Sequence, residues 1–386
     1  MSLRIFFDPL QEEEIDELDK VNGVIDSVQL HTHEGMPSVK AADVAVFCFS
    51  EYSGPGQEKV PATDFAKLRK AFYSLKSFSK ECKLIDLGFL RPGPNLEESY
   101  ARLREVCEKL MEQNTLPLII GGADDLGFAQ YLAYQNFEKI ISVVNVDARI
   151  DMGKTKSTNK GGHVYKILTH QPNYLFEYNH LAYQRYFVEP KTIEALQYLH
   201  YESKSVGQIR ERIAETEPVI RSADMLSFDL SAIKAADVGA VLDKTPFGLT
   251  GEEACQLCWY GGMSEKLTSV GFYNYRPELD KDGQSAQVLA TMVWYFVEGF
   301  SNRKEEYSFK SNFHIKYLVP LDTLHKSLVF YKSKLTDKWW MEAGLHDDAE
   351  KYYHRNAVIP CSYEDYQTAV KGQIPERWLK ATGKQS

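Results

Sequence analysis

The sequence predicts an α/β fold in which a mostly parallel sheet lies between helices. Two observations support this prediction: short apolar segments recur along the chain, and amphipathic segments of helical length separate them. This alternation is typical of β-α-β units, in which helices connect parallel strands. The predicted strands are Asp43–Phe49, Lys83–Leu87, Leu116–Gly121, Ile140–Val146, Asp224–Phe228 and Leu267–Asn274.

The predicted helices fall between these strands and have the apolar spacing of surface helices. They are Thr63–Phe78, Leu96–Gln113, Leu126–Asn136, Lys191–Tyr198, Val206–Glu215 and Glu252–Met263. The strand Leu116–Gly121 is almost continuously apolar, as expected of a parallel strand that is buried on both faces. Ligands bind at the carboxyl ends of the strands in such sheets, so the residues after each strand are the candidates for chemistry.

The pattern changes beyond about Arg303. Segments Leu318–Leu324, Ser327–Ser333 and Lys338–Glu342 favour short antiparallel strands, followed by a helix rich in aromatic and charged residues and a last helix that opens at Ser362. We therefore predict an α/β domain over residues 1–303 and an appended C-terminal region over residues 304–386 that packs on it. Aromatic side chains in this region either bind a protein partner or pack the region against the domain or a second subunit. They are Trp339, Trp340, Tyr352, Tyr353, Tyr363, Tyr366 and Trp378.

The composition is that of an acidic globular chain. Its 386 residues include 45 Lys+Arg and 54 Asp+Glu, which gives a net charge of −9. This acidic excess argues against nucleic-acid binding and against a basic membrane-surface face. No apolar run of about 18 residues is present, so no membrane span is expected. The apolar run at the N-terminus ends at Asp8, too early for a signal peptide, which favours a cytoplasmic protein.

Acidic residues follow three of the predicted strands. Asp124 follows the third strand, Asp147 and Asp151 follow the fourth, and Asp229 follows the fifth. Each of these residues alone is explained as a helix N-cap or a turn residue. Because the carboxyl ends of parallel strands meet at one edge of a sheet, we expect the four carboxylates to converge there.

The motifs around these aspartates resemble those of the ureohydrolase family, which comprises arginase, agmatinase and formimidoylglutamase. The family motifs G-G-D-H, D-A-H-x-D and S-x-D-x-D correspond to Gly121-Gly122-Ala123-Asp124, Asp147-Ala148-Arg149-Ile150-Asp151 and Ser227-Phe228-Asp229-Leu230-Ser231. The resemblance covers roughly residues 40–303 and is nearest to formimidoylglutamase. It implies an arginase-like three-layer αβα sandwich, a homo-oligomer, and hydrolysis of C–N bonds in linear amidines at a two-manganese centre.

Three of the six metal-ligand positions that the resemblance implies carry a different residue in this chain. Asp124 and Arg149 stand in place of the family's two histidines, and Ser231 stands in place of its last aspartate. The positions of Asp147, Asp151 and Asp229 are retained. The resemblance therefore implies that one metal position becomes a set of four carboxylates, whereas the second is dismantled.

The substitution by Arg149 suggests how the clustered charge is compensated. A guanidinium has no free lone pair for a metal, but it pairs well with carboxylates. We predict that Arg149 takes the place of the second metal and bridges Asp147 and Asp229. With this compensation we expect no tightly held metal. If one divalent cation is bound, an all-oxygen set favours Mn²⁺, Mg²⁺ or Ca²⁺.

Two further positions correspond to residues that contact substrate in the family. Asn274 stands where the family has a glutamate that anchors the cationic group of the substrate, and an amide cannot form that charge-assisted pair. His163 is the counterpart of a general-base-like catalytic histidine, or else an ordinary residue of a Gly-rich loop. None of the ten histidines falls at one of the family's metal-ligand positions.

These observations predict a ureohydrolase-fold protein with a dismantled manganese site. It acts in this interpretation as an inactive scaffold or as a binding module for a small amidine or amino-acid-like ligand. The alternative is an active formimidoylglutamase- or arginase-type hydrolase with a single-metal site. A third interpretation places the function in the C-terminal region, as a surface for a protein partner.

Overall fold

The computed structural model describes residues 3–18, 22–52, 65–153, 162–306, 309, 312–321, 326–343 and 358–383. Its strands are β1 (Phe7–Asp8), β2 (Val28–Leu30), β3 (Val44–Phe49), β4 (Leu84–Leu90), β5 (Leu116–Ile120), β6 (Ile141–Val146), β7 (Leu175–Tyr183), β8 (Ser203–Ser205), β9 (Met225–Asp229), β10 (Ser269–Tyr273), β11 (His314–Leu321), β12 (Lys326–Ser333), β13 (Trp339–Glu342) and β14 (Val358–Cys361). Its α-helices are α1 (Glu12–Leu18), α2 (Ala66–Tyr73), α3 (Leu96–Glu112), α4 (Leu126–Leu132), α5 (His163–Thr169), α6 (Pro190–Tyr198), α7 (Val206–Glu211), α8 (Glu217–Arg221), α9 (Gly251–Gly262), α10 (Gln284–Ser301), α11 (Tyr363–Val370) and α12 (Glu376–Gly383).

The main sheet has ten strands, and nine of them follow the order β1-β4-β3-β5-β10-β9-β6-β7-β8, with β2 paired to β4. Only β1 is antiparallel to its neighbour among these strands; the other pairings are parallel. The predicted α/β fold with a mostly parallel sheet is therefore confirmed. All six predicted strands lie in this sheet, with ends within a few residues of the prediction.

Helices cover both faces of the sheet, which gives the three-layer arrangement. Every residue of β3 is buried, and alternate residues belong to different apolar cores. On one face β3 packs in a core with α2, α9 and α10, and on the other in a core with α3 and α4. A strand buried on both faces needs a continuous apolar run, and the sequence Val-Ala-Val-Phe-Cys-Phe of β3 provides one.

The sequence analysis did not predict two long elements, α10 with 18 residues and strand β7. Strand β7 runs over nine residues beside β6. Polar residues interrupt its apolar pattern, among them Glu177, Asn179 and His180. The last two are nevertheless buried, because this part of β7 lies inside the sheet, a condition that local patterning does not report.

The order of the central strands places the predicted site residues side by side. Strands β5, β10, β9 and β6 are consecutive neighbours and all parallel. In this register Asp229 lies opposite Tyr273, and Val146 lies opposite Phe228. The segments that follow these four strands therefore emerge together at one edge of the sheet.

The C-terminal region forms a separate small sheet with the order β11-β12-β13-β14, in which every pairing is antiparallel. It has its own apolar core around Phe330, Met341 and Trp378. A capping box between Ser362 and Asp365 opens α11, as predicted for Ser362. The aromatic and charged helix expected before Ser362 falls on residues 344–357, outside the described residues. The domain boundary near residue 303 remains a prediction.

A buried arginine of α8 connects this helix to the small sheet. Arg221 of α8 is 2% exposed and pairs through Nε with Glu217 Oε1 at 2.7 Å. Its Nη2 donates to the carbonyl oxygens of Trp339 and Cys361, at 3.0 and 3.3 Å. Its guanidinium carbon lies 4.3 Å from the centroid of the Trp340 ring.

Within the described residues, no helix is both long and apolar enough to cross a membrane.

Replacing Arg221 by Met should weaken the attachment of the C-terminal region. The substitution leaves two buried carbonyl groups and Glu217 without their donor, which should lower the free energy of unfolding by about 3 kcal/mol. Urea unfolding measures this loss, and limited proteolysis should cut the C-terminal region first. Arg212→Met is the matched control, because Arg212 pairs with Glu364 at the exposed surface, and it should cost less than about 1 kcal/mol. Equal losses in the two variants would contradict the assignment.

Charged groups of α12 make this attachment sensitive to acid. Burial alone would raise the pKa of Glu202, but Arg377, Lys204 and Lys380 lower it to about 2. Because this pKa is depressed in the folded state, the stabilisation is complete above the ordinary value of 4.5 and disappears as the pH falls toward 2.

Glu202→Gln should therefore destabilise the protein at pH 6, and this deficit should shrink as the pH falls toward 2. Urea unfolding of wild type and variant across that pH range tests the prediction. Glu376→Gln, at an exposed pair with Lys380, is the control and should have little effect at either end. A deficit that does not vary with pH would show that Glu202 acts through packing alone.

Candidate metal centre

A Gly-Gly turn brings the first aspartate to the edge of the sheet. Gly121 and Gly122 follow β5 with φ angles of 91° and 77°, a conformation that favours glycine. A Cβ atom at Gly121 would lie 2.8 Å from the carbonyl oxygen of Phe49. The carbonyl oxygen of Gly122 accepts a hydrogen bond from the backbone of Asn274 at 2.7 Å. The turn thereby joins the ends of β5 and β10 and leads directly to Asp124.

Asp147 is the most deeply buried carboxylate of the site. It follows β6, is 1% exposed, and accepts the backbone N–H of Arg149 at Oδ1, at 2.9 Å. Its Oδ2 atom is buried without a hydrogen-bond partner. A buried carboxylate oxygen without a partner is costly, so this atom is the first sign that a group absent from the chain itself completes the site.

His163 lies next to the carboxylates of Asp124 and Asp147 in the structure. It is the first residue of α5 and is 2% exposed, with Nδ1 3.3 Å from Asp124 Oδ2. Its other ring nitrogen, Nε2, is buried without a hydrogen bond. Ligating atoms of Asp124, Asp147 and His163 lie within 4.8 Å of one another. The fold thus brings His163, which lies outside the family's metal-ligand positions in the sequence, within ligating distance of two of the aspartates.

The donor set is compatible with a divalent cation. It offers carboxylate oxygens and one imidazole nitrogen, which are donors that Mn²⁺ and neighbouring divalent metals accept. The sequence predicted an all-oxygen ligand set. The structure differs, because α5 places the imidazole of His163 next to the carboxylates. The unpartnered atoms of Asp147 and His163 do not support the expectation that no metal is held.

The carboxylates destabilise one another in the absence of a cation. Burial, and then Asp229, Asp151 and Asp124, raise the pKa of Asp147 well above its usual value. Burial and then Asp124 raise the pKa of Asp151 to about 6 and that of Asp229 to about 7. Burial also acts to raise the pKa of Asp124, but the contact with His163 lowers it overall. A positive charge in this place would favour all four ionised forms.

Asp229 differs from Asp147, because hydrogen bonds from the chain reach both of its oxygens. Oδ1 accepts the backbone N–H of Ser231 at 2.7 Å, and Oδ2 accepts Nδ2 of Asn274 at 2.6 Å. Asn274 has a φ angle of 65°, which directs its side chain from the end of β10 toward β9. The structure thus places Asn274 on a carboxylate, whereas its contact with substrate remains a prediction.

Arg149 does not form the predicted bridge between Asp147 and Asp229. Its guanidinium carbon lies 3.9 Å from the centroid of the Phe187 ring, and the described residues include no ion pair of Arg149 with either aspartate. Stacking on an aromatic face is a favoured arrangement for a guanidinium. Its backbone N–H, rather than its side chain, satisfies Asp147. The bridge is therefore a wrong prediction, although Arg149 does lie at the site.

These side chains surround a cavity of about 220 Å³. The lining includes all four predicted aspartates, among them Asp124, and the other two residues that replace family ligands, Arg149 and Ser231. Among the lining residues are Asp124, Asp147, Arg149, Asp151, Asp229, Ser231, Asn274 and Arg276. The volume is below the usual range for drug-sized ligands, so the cavity fits a small molecule.

The family model for the arginase family matches residues 53–298, which is well over half of the chain. The chain belongs to the arginase family. A formimidoylglutamase from Staphylococcus haemolyticus is 22% identical over 251 residues, covering 60% of this chain and 76% of that protein. A formimidoylglutamase from Staphylococcus carnosus is 25% identical, covering 60% of this chain and 77% of that protein.

Solved structures of arginase-family proteins share the fold. A manganese-bound formiminoglutamase from Trypanosoma cruzi superposes with a TM-score of 0.62 at 20% identity, covering 69% of this chain and 96% of the other. A formimidoylglutamase from Bacillus subtilis gives 0.62 at 14% identity, covering 74% and 93%. The predicted family and arginase-like fold, nearest to formimidoylglutamase, are thus confirmed. The match to the arginase-family model ends before the C-terminal sheet.

Sequence reasoning missed two contacts of this arginase-family site. Phe187, which stacks on Arg149, lies in a segment that the sequence analysis did not consider. The hydrogen bond from Asn274 to Asp229 joins residues 45 positions apart. The motif order could have indicated that the ends of β9 and β10 are neighbours, but the direction of the Asn274 side chain depends on its unusual φ angle.

Asp147→Asn should stabilise the metal-free protein. The pKa of Asp147 is raised in the folded state, so its ionisation costs folding free energy as the pH rises above the ordinary value of 3.8. The variant should be more stable than wild type by at least about 1 kcal/mol at pH 8, with a smaller gain near pH 4. Urea unfolding in the presence of a chelator measures this difference. Asp243→Asn, at an exposed residue of the same cavity, should change stability little, and a similar gain there would contradict a specific role for burial.

Proposed function

We propose that this arginase-family protein binds one divalent cation together with a small amidine or amino-acid-like molecule, and that it lacks efficient two-metal hydrolysis. One observation carries the proposal. The site has a compact donor group with open ligand atoms at Asp147 and His163, whereas Asp229, on the other side, is hydrogen-bonded within the chain. The two halves of the site are therefore not equivalent.

The half of the site formed by Asp124, Asp147 and His163 is suited to bind the cation. Asp124, Asp147 and His163 would hold it, with Asp151 close enough to contribute charge, since Asp151 and Asp124 affect each other's ionisation. A bound divalent cation would polarise an oxygen or nitrogen of the ligand and would neutralise part of the clustered negative charge. The backbone orients Asp147 for this cation, because the N–H of Arg149 donates to Oδ1 and leaves Oδ2 without a hydrogen-bond partner.

The half of the site around Asp229 is not suited to bind a second cation. Ser231 contributes its backbone N–H to Asp229, and the guanidinium of Arg149 cannot ligate a metal. Asn274 occupies Oδ2 of Asp229 with an amide donor. Two-metal catalysis depends on a pair of ions that together activate the nucleophile and stabilise the leaving group, so a site that holds one ion lacks half of this arrangement.

Metal analysis and calorimetry test the cation. The protein incubated with excess Mn²⁺ and then desalted should retain one equivalent, and His163→Asn should weaken Mn²⁺ binding at least about tenfold. Asp243→Asn is the control, because it removes a carboxylate of the cavity that lies outside the donor group. Two equivalents in wild type, or an unchanged affinity in His163→Asn, would refute the single-cation site.

Turnover assays test the hydrolysis. With excess Mn²⁺, wild type should hydrolyse formimidoylglutamate, agmatine and arginine at rates far below those of an efficient enzyme. The triple variant Asp124→His, Arg149→His and Ser231→Asp restores the ligand types that the family resemblance implies, and it should gain a second equivalent of Mn²⁺ and measurable turnover. Turnover by wild type at enzyme-like rates would overturn the proposal.

A second candidate function is hydrolysis of a linear amidine at the single-cation site. It is favoured by the similarity to formimidoylglutamases and by the contact of His163 with Asp124. If the carboxylates alone held the cation, this imidazole would be free to act as a general base. The turnover assay of wild type decides between the two candidates. A homo-oligomer, a protein partner of the C-terminal region and a cytoplasmic location remain predictions.

A further inference from the structure

Two arginines line the cavity, and they differ in how the chain uses them. Arg276 is ion-paired with Glu278 and lies over the ring of Tyr52, 4.1 Å from its centroid. Arg149 lies over Phe187, and the described part of the chain offers its guanidinium no carboxylate partner. Both arginines are at least partly shielded from solvent, and within the described residues only the charge of Arg276 is offset by an ion pair.

We propose that Arg149 binds the carboxylate of the small ligand in this cavity. The proposal rests on the proposed function, because it assigns one end of the molecule that the cavity is proposed to hold. A guanidinium offers N–H donors in a planar fork that matches the two oxygens of a carboxylate. Phe187 covers one face of this group and restricts its rotamers, which reduces the entropy that binding would cost.

Within the described residues, the neighbouring aspartates do not form an ion pair with the guanidinium of Arg149, although they are close. Asp147, the nearest in sequence, accepts a hydrogen bond from the backbone N–H of Arg149, and its carboxylate belongs to the donor group with Asp124 and His163. Asp151 is near enough for Arg149 to lower its pKa slightly, against the larger effects of burial and Asp124. The guanidinium therefore remains available to an anion that enters the cavity.

The charge around Arg149 selects the class of ligand. Six aspartates line the cavity with it, so a molecule that carries only negative charge is repelled as a whole. A zwitterion avoids this repulsion, because its carboxylate pairs with Arg149 while its cationic end faces the aspartates. The ligand class is therefore a small amino acid with a cationic or polar side chain, and a phosphate ester is disfavoured.

The pair L-arginine and agmatine isolates the contribution of the carboxylate, since the two molecules differ only by that group. In isothermal titration calorimetry with Mn²⁺ present, wild type should bind L-arginine at least about tenfold more tightly than agmatine. Arg149→Gln should bind L-arginine about tenfold more weakly than wild type does. Its affinity for agmatine should not fall, because the variant removes a positive charge near a cationic ligand.

Two further variants control for folding and for general electrostatics. Arg149→Lys keeps the charge but loses the fork, and it should retain only part of the preference for L-arginine. Arg185→Gln removes a charge from the same loop as Phe187, at an exposed residue that does not line the cavity, and the preference should remain. Thermal unfolding of each variant confirms that it is folded.

Several outcomes would overturn the proposal. These are equal affinities of wild type for the two ligands, equal losses of both in Arg149→Gln, and no binding of either ligand at millimolar concentration. Binding of inorganic phosphate that depends on Arg149, without a difference between L-arginine and agmatine, would assign the guanidinium to phosphate instead. The titration of Mn²⁺ alone is a separate measurement, so failure of the cation site is distinguishable from failure of the carboxylate contact.

Discussion

Burial of negative charge at the carboxyl ends of β5, β6 and β9 is the constraint on which the site depends. Asp147 and Asp229 are 1% and 4% exposed, and burial followed by neighbouring carboxylates raises the pKa of both. Such a cluster is costly unless donors or cations compensate it. The parallel sheet imposes the cluster, because it brings the ends of these strands to one edge, and the surrounding residues determine how it is compensated.

The compensation is unequal across the site. Asp229 receives one hydrogen bond from the backbone at Ser231 and another from Asn274, which together satisfy both of its oxygens. Asp147 receives one, and its Oδ2 atom has no hydrogen-bond partner, while its carboxylate lies within ligating distance of Asp124 and His163. One half of the site is thus an internal hydrogen-bond network, whereas the other half has open ligand atoms of the kind that a cation requires.

The C-terminal sheet is attached through a different kind of contact. Arg221 pairs with Glu217 on its own helix and reaches two backbone carbonyls of the small sheet. The cavity, in contrast, is lined within the described residues by the α/β part of the chain, from Tyr52 to Arg276. The cavity and the contact that attaches the small sheet therefore lie in different places within the described residues.

The sequence by itself determined the six central strands and the family, because continuous apolar runs and motif spacing are local properties. It also indicated that four aspartates meet, since the ends of parallel strands share one edge. Tertiary structure alone decided that His163 faces Asp124, that Arg149 stacks on Phe187 and that Asn274 caps Asp229. These contacts join segments that are distant along the chain, and they depend on backbone angles and side-chain directions that residue patterns do not encode.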